Sequence, residues 1–137
     1  MIRNSTEDDC EAIARVHVAS WQSTYRGQIP EEFLNALSVP TRTELWKRLL
    51  TKEGYRVFVL EQSGEINGFV SFGPSLDRDA PANQGEVYAI YLLAKAQGSG
   101  AGKALWDAAV SELRVLGFLC ITLWAVSYTH LTLPTKA

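Results

Sequence analysis

Glu86-Val87-Tyr88-Ala89-Ile90-Tyr91-Leu92, apolar on both faces, is closely followed by Gln97-Gly98-Ser99-Gly100-Ala101-Gly102-Lys103. The first stretch reads as a central strand covered on both sides. Beyond the glycines, Leu105, Ala109, Leu113 and Leu116 recur at helical spacing until Gly117, and Leu119 to Val126 reads as another buried strand. Strand, glycine turn, helix and strand form a βαβ unit with parallel strands, which sets the fold class as α/β, a mixed sheet with helices on both faces. Gly98, Gly100 and Gly102 leave the backbone bare, so that successive N–H groups can turn toward one anion at the positive end of the helix.

Upstream, Ile2 to Asn4 reads as a short strand, and Thr6-Glu7-Asp8-Asp9 has the capping-box form that opens a helix carrying Ile13, Val16, His17 and Ser20 to Trp21 inward. Gly27 and Pro30 break that helix, and Pro30-Glu31-Glu32-Phe33 starts a second one with Phe33, Leu34 and Leu37 inward. Thr41-Arg42-Thr43-Glu44 repeats the capping box, predicting a third helix that buries Leu45, Leu49 and Leu50 and closes at Gly54. Arg56 to Gln62 and Ile66 to Phe72 form a hairpin around Ser63-Gly64, and Pro74 to Gln84 is a solvated loop.

A chain of 137 residues with 47% hydrophobic content builds one domain around one core. A net charge of -2 provides no field to draw in nucleic acid or an anionic membrane. Cys10 and Cys120, without a CxxC or a neighbouring His, read as reduced thiols of a cytoplasmic protein that holds no metal. No run reaches membrane-spanning length.

Three phosphate motifs compete for the glycine turn. A nucleoside-triphosphate loop needs G-x-x-x-x-G-K followed by Ser or Thr, but Gln97 stands at the first glycine and Ala104 follows Lys103. A dinucleotide fingerprint needs G-x-G-x-x-G with an acid roughly twenty residues on, where this chain has Cys120-Ile121-Thr122. Gln97, Gly100 and Gly102 fit the third pattern, Q/R-x-x-G-x-G/A. At this turn the chain resembles the GNAT (GCN5-related N-acetyltransferase) family, whose corresponding turn holds the pyrophosphate of acetyl-CoA. His17-Val18-Ala19-Ser20-Trp21, Tyr25-Arg26-Gly27 and Ile29-Pro30 also resemble the first-helix segment of many bacterial members.

The resemblance implies an acetyl-CoA-dependent N-acetyltransferase acting on a small-molecule or peptide amine by direct attack, with a homodimer left open. It assigns the turn from Gln97 through Gly98, Ser99, Gly100, Ala101, Gly102 and Lys103 to the coenzyme. Lys103 also reads as a plain solvated charge. Ile90, Tyr91 and Leu92 are implied to splay from the next strand and serve the pantetheine arm through their main chain. Glu86 stands where family members often carry the glutamate that draws the amine's proton through a water, against the plainer reading of an exposed strand-end charge. Trp21, Tyr25 and Arg26 fall where the family walls its acceptor pocket, although Trp21 also suits a core anchor and His17 a packed residue. A non-catalytic acyl-CoA binding or sensing module is the alternative, and a nucleotide-binding protein a weaker one.

The family pattern stops at Val126. An asparagine-bearing turn, a helix with the tyrosine acid and two last strands are expected there, whereas Ser127 to Ala137 has no helical period. Residues 1–126 are therefore expected to form an incomplete domain and 127–137 a non-native or disordered tail, because Val-Ser-Tyr-Thr-His-Leu matches one frame of a transposase adapter. On that expectation the last strand is left bare, coenzyme binding is weak and turnover small.

Overall fold

Arg3 draws the beginning of the chain together. In the computed structural model, which describes residues 1–25, 38–76, 80, 82–124 and 130–134, strand β1 (Ile2–Asn4) carries this guanidinium. It bonds both Asp9 oxygens, at 2.8 and 3.0 Å, and reaches Glu61 at 3.3 Å. Asp9 also accepts from the Thr6 N–H at 2.8 Å, so the predicted box closes around a short 3-10 turn (Glu7–Asp9) that runs into α1 (Cys10–Tyr25). Arg3 holds the Asp9 carboxyl below the usual carboxylate range.

Helix α2 (Val39–Leu50) starts earlier than the predicted Thr41 cap. Ser38 is the N-cap, its Oγ accepting from the Thr41 N–H at 3.4 Å, and Pro40 falls in the first turn, where no hydrogen bond is lost. The buried face also differs from the expected one: Trp46 is buried, whereas Leu45, Leu49 and Leu50 are only half-buried. The helix predicted from Pro30 lies outside the described residues.

Strands β2 (Arg56–Gln62) and β3 (Glu65–Pro74) form the predicted hairpin. Its two turn residues, Ser63 and Gly64, both have positive φ (52° and 80°), which matches the strand twist of a tight hairpin. Strand β4 (Gln84–Leu92) lies antiparallel to β3 and parallel to β5 (Cys120–Trp124), with α3 (Ala101–Val115) between them in sequence, so the predicted βαβ unit is present. Leu116 and Leu119, expected in the helix and the strand, lie exposed in the connection because α3 stops at Val115 and β5 begins at Cys120. Strand β6 (His130–Pro134) then pairs antiparallel along β5. The tail was expected to leave β5 bare. Instead the alternation Leu131-Thr132-Leu133 has the period of a strand, and the sheet, ordered β1 to β6, has its edge at β6.

The sheet separates two cores. Leu105, Ala109 and Leu113 of α3 pack with Val70, Phe72, Val87 and Ile121 on one face. Cys10, Ile13, Val16 and Trp46 pack with Val57, Val59 and Phe69 on the other. In the second core His17 stacks on Tyr91 at 5.1 Å, meets Trp21, Trp46 and Phe69 edge-on, and accepts at Nδ1 from Trp46 Nε1 at 3.4 Å. The packed reading of His17 therefore holds.

Burial, reinforced by the Arg42 charge, lowers the His17 pKa from 6.5 to about 4. The unfolded chain then binds a proton between those values that the folded chain refuses, so stability falls as pH drops through 6.5 and the loss levels off below 4. Its full size is about 3 kcal/mol. Urea melts at about pH 7 and near pH 4 should show a larger acid loss in the wild type than in His17→Phe. Equal losses would show that His17 is not the group responsible.

Candidate active site

The register between β3 and β4 slips at Tyr88: Phe72 faces Val87, but Ser71 faces Ala89. The extra residue is a β-bulge, and it changes which residues share a face. Val87 lies in the α3 core before it, Ile90 and Leu92 pack against that core after it, and Tyr91 turns toward α1. Among the described residues the ladder to β5 ends at the same place, with Val87↔Leu123 its last pair. Leu93 donates its N–H to Asn67 O at 2.8 Å. By antiparallel alternation, Ile90 and Leu92 then direct their main-chain groups away from β3, to the side where, among the described residues, β5 no longer pairs. Of these, the Leu92 carbonyl accepts from Ser20 Oγ and from Gln97 Nε2, each at 3.3 Å.

Past Leu92 a 3-10 turn (Ala94–Ala96) leads into the glycines. Gly98 and Gly100 take left-handed conformations (φ 77° and 82°) that side chains resist, and Gly100 is the N-cap of α3. Ser99 Oγ donates back to Ala96 O at 2.7 Å. The Ala104 N–H finds Gly100 O at 3.1 Å, whereas among the described residues nothing accepts from the N–H groups of Gly98 through Lys103. Gly102 is different from the other two: a methyl group there would meet Leu92 at an ordinary 3.4 Å, so the fold itself does not demand glycine. Lys103 is exposed and paired with Asp107 at 2.7 Å within the helix, in line with the solvated-charge reading of its side chain.

Glu86 is not at the strand's end. It lies inside β4, 3% exposed, because the strand begins at Gln84. Oε1 accepts from Ser75 Oγ at 3.3 Å, the Leu76 N–H at 3.4 Å and Thr122 Oγ1 at 3.5 Å. Oε2 is buried with no partner among the described residues. A bare carboxylate oxygen in such a place is positioned to accept a proton or a hydrogen bond from something brought to it. The neighbouring Tyr88 stacks on Tyr55 at 5.0 Å and donates to Pro74 O. Burial, followed by the Glu86 charge, raises the Tyr88 pKa, so the phenol keeps its proton at neutral pH.

On the α1 side, Trp21 Nε1 donates to Tyr91 Oη at 3.0 Å, placing Trp21 against β4. Tyr25 is the last residue of α1, while its side chain and Arg26 lie outside the described residues. Tyr88 and Thr122 join the site without any sequence signal, since their places follow from the bulge and the strand register, whereas Ser20 comes from the inward face that the spacing of α1 predicts. Among the described residues no three His, Cys, Asp or Glu side chains group to hold a metal, and no helix is long and apolar enough to cross a membrane.

The chain belongs to the acetyltransferase (GNAT) family, whose family model matches residues 14–131. It is 37% identical over 126 residues to the uncharacterized N-acetyltransferase YuaI of Bacillus subtilis (strain 168), covering 91% of this chain and 70% of that protein. The fold is similar to PaiA N-acetyltransferase from Thermoplasma acidophilum in complex with coenzyme A, with a TM-score of 0.74, 21% identity, and 91% and 78% of the two chains covered. It is also similar to a GNAT family acetyltransferase from Brucella melitensis in complex with acetyl-CoA, with a TM-score of 0.69, 22% identity, and 91% and 75% covered.

Gly73 pairs with Glu86 across the sheet, and a methyl group on it would fall 2.5 Å from Gly54 O and 2.7 Å from Tyr88 Oη. Gly73→Ala should therefore destabilise the fold by about 1–3 kcal/mol, the usual range for overpacking. A denaturant midpoint equal to wild type would show that this contact is not tight.

Proposed function

We propose that the protein transfers an acetyl group from acetyl-CoA to a primary amine, by direct attack of the amine on the thioester and without a metal. The observation that carries this reading is the row of N–H groups from Gly98 to Lys103 that, among the described residues, meet no acceptor at the start of α3. Such a row takes a phosphate-sized anion. The main-chain groups of Ile90 and Leu92 on the open side of β4 suit an extended, amide-bearing arm. Acetyl-CoA has both features and supplies the acetyl group activated as a thioester. Coenzyme A or acetyl-CoA in the related Thermoplasma and Brucella structures supports the choice.

Each residue then has a definite task. The turn from Gly98 to Lys103 binds the pyrophosphate through its main chain, with the Gln97 amide at its rim. Ile90, Tyr91 and Leu92 align the arm along β4. Glu86 takes the amine's proton at Oε2 through a water, restoring the lone pair that attacks. Trp21 stands on the acceptor side, together with Tyr25 and Arg26 by their place in the sequence. The free thiols Cys10 and Cys120 suit a cytoplasmic protein.

Acetyl-CoA at about a hundred times its Kd should stabilise the chain by about 2.7 kcal/mol in a thermal-shift experiment, while ATP and NAD leave it unchanged. Stabilisation by ATP alone would overturn the assignment. Gly102→Val isolates the turn from the fold, because position 102 lacks the left-handed strain of Gly98 and Gly100. It should retain the wild-type melting temperature within a few degrees and lose the acetyl-CoA shift. A retained shift would mean that the pyrophosphate does not approach this backbone.

A further inference from the structure

Thr122 is buried and faces Glu86 directly in the parallel ladder of β4 and β5, one pair before that ladder ends. Its Oγ1 lies 3.4 Å from Gly85 O and 3.5 Å from Glu86 Oε1. A hydroxyl has one proton to donate, so it serves one of these two oxygens at a time. While Glu86 is ionised, the charge-assisted bond to Oε1 is the stronger of the two. Once the carboxyl has been neutralised, Oε1 is a weaker acceptor than the amide carbonyl of Gly85, and the hydroxyl turns there. In neither state is a buried donor left unpaired. Ser75 Oγ and the Leu76 N–H also bond Oε1, and Tyr88 is the titratable neighbour whose proton affinity responds to the Glu86 charge. Among the hydrogen bonds to Glu86, that of Thr122 is the one given from β5.

From this geometry we propose that Thr122 is a positioning residue for proton transfer, its hydroxyl holding the ionised carboxyl with Oε2 bare and swinging to Gly85 O as the carboxyl is neutralised. The proposal rests on Glu86 as the proton acceptor. In that step an N–H bond of the acceptor breaks and an O–H bond forms on Oε2, relayed by a water that gains one proton and gives one up. The nitrogen keeps the electron pair and bonds the acetyl carbon, the thiolate leaves with the pair of the broken C–S bond, and the surplus proton still on the nitrogen ends on that thiolate to give the free thiol. Thr122 exchanges one hydrogen-bond acceptor for another and neither gains nor loses a proton.

The test uses the full chain with acetyl-CoA as donor and a simple primary amine at high concentration as the acceptor, with thiol release above the amine-free rate as the readout. Thr122→Val preserves shape and removes the rotor, whereas Thr122→Ser retains it. The expected result is a fall in kcat of about fivefold or more for the valine variant, the size of one lost hydrogen bond, with the KM for acetyl-CoA within about twofold of wild type. The serine variant should recover wild-type turnover. In a Glu86→Gln background, Thr122→Val should cost nothing further, and a crystal structure of Thr122→Val should show the Glu86 carboxyl turned away from β5. A valine penalty that persists in the Glu86→Gln background would reduce Thr122 to a packing residue and overturn the proposal, as would an unmoved carboxyl with full turnover. Full turnover by Glu86→Gln itself would remove the proton-acceptor reading and the proposal with it.

Discussion

The site depends on β4 losing its partner. Up to Val87 this strand is bonded on both sides, and among the described residues it is bonded from Tyr88 onward to β3 alone. The bulge at Tyr88 marks the change, because a single extra residue increases the local twist and re-aims the side chains that follow. Main-chain groups that would have served a sheet ladder become available to a ligand. Their exposure is tolerable because α1 and the glycine turn fasten the end of the strand: Ser20 and Gln97 both hold the Leu92 carbonyl, and Asn67 holds the Leu93 N–H. The opened side is thus bounded by β5 on one flank and the start of α3 at its end.

Charge has a small part in this arrangement. The chain is mildly acidic, and Lys103, the cation nearest the turn in sequence, is paired with Asp107. The turn offers an anion oriented N–H dipoles, preset by two left-handed glycines before anything binds. Glu86 is likewise surrounded by neutral donors, from Ser75, Leu76 and Thr122. Hydroxyl and amide donors can follow a change in the carboxyl's charge by reorienting, which a fixed cation cannot do. On the opposite face of the sheet from α3, the His17 cluster supplies an aromatic floor beneath Tyr91.

What the sequence revealed and what it hid divide along a physical line. Patterns carried by consecutive residues were legible: the apolar run of β4, the glycines, the helical period of α3 and the Ser63-Gly64 turn all lie where composition and spacing put them. Features set by pairing between distant segments were not. The parity change at Tyr88 leaves no mark in the sequence, so the sharing of one face by Val87 with Ile90 and Leu92 could not be read. Glu86 looked like a strand-end charge because nothing local says that β4 begins two residues earlier, at Gln84. The cap falls at Ser38 and not at the expected Thr41 because Pro40 can occupy the first turn that follows Ser38. Thr122 resembles any β-branched residue of a buried strand until the register sets it beside Glu86. The β6 pairing was equally hidden, since Leu131-Thr132-Leu133 is too short to announce a strand unless β5 offers it an edge.

The central claim is that the N–H groups from Gly98 to Lys103 and the open side of β4 form one coenzyme site. The most direct measurement is a titration of the isotope-labelled chain with coenzyme A, followed by amide nuclear magnetic resonance. The largest shifts should fall on the N–H groups of Gly98 through Lys103, accompanied by those of Ile90 and Leu92 and saturating at the same concentration. Saturable binding whose shifts leave both of these segments in place would contradict the account.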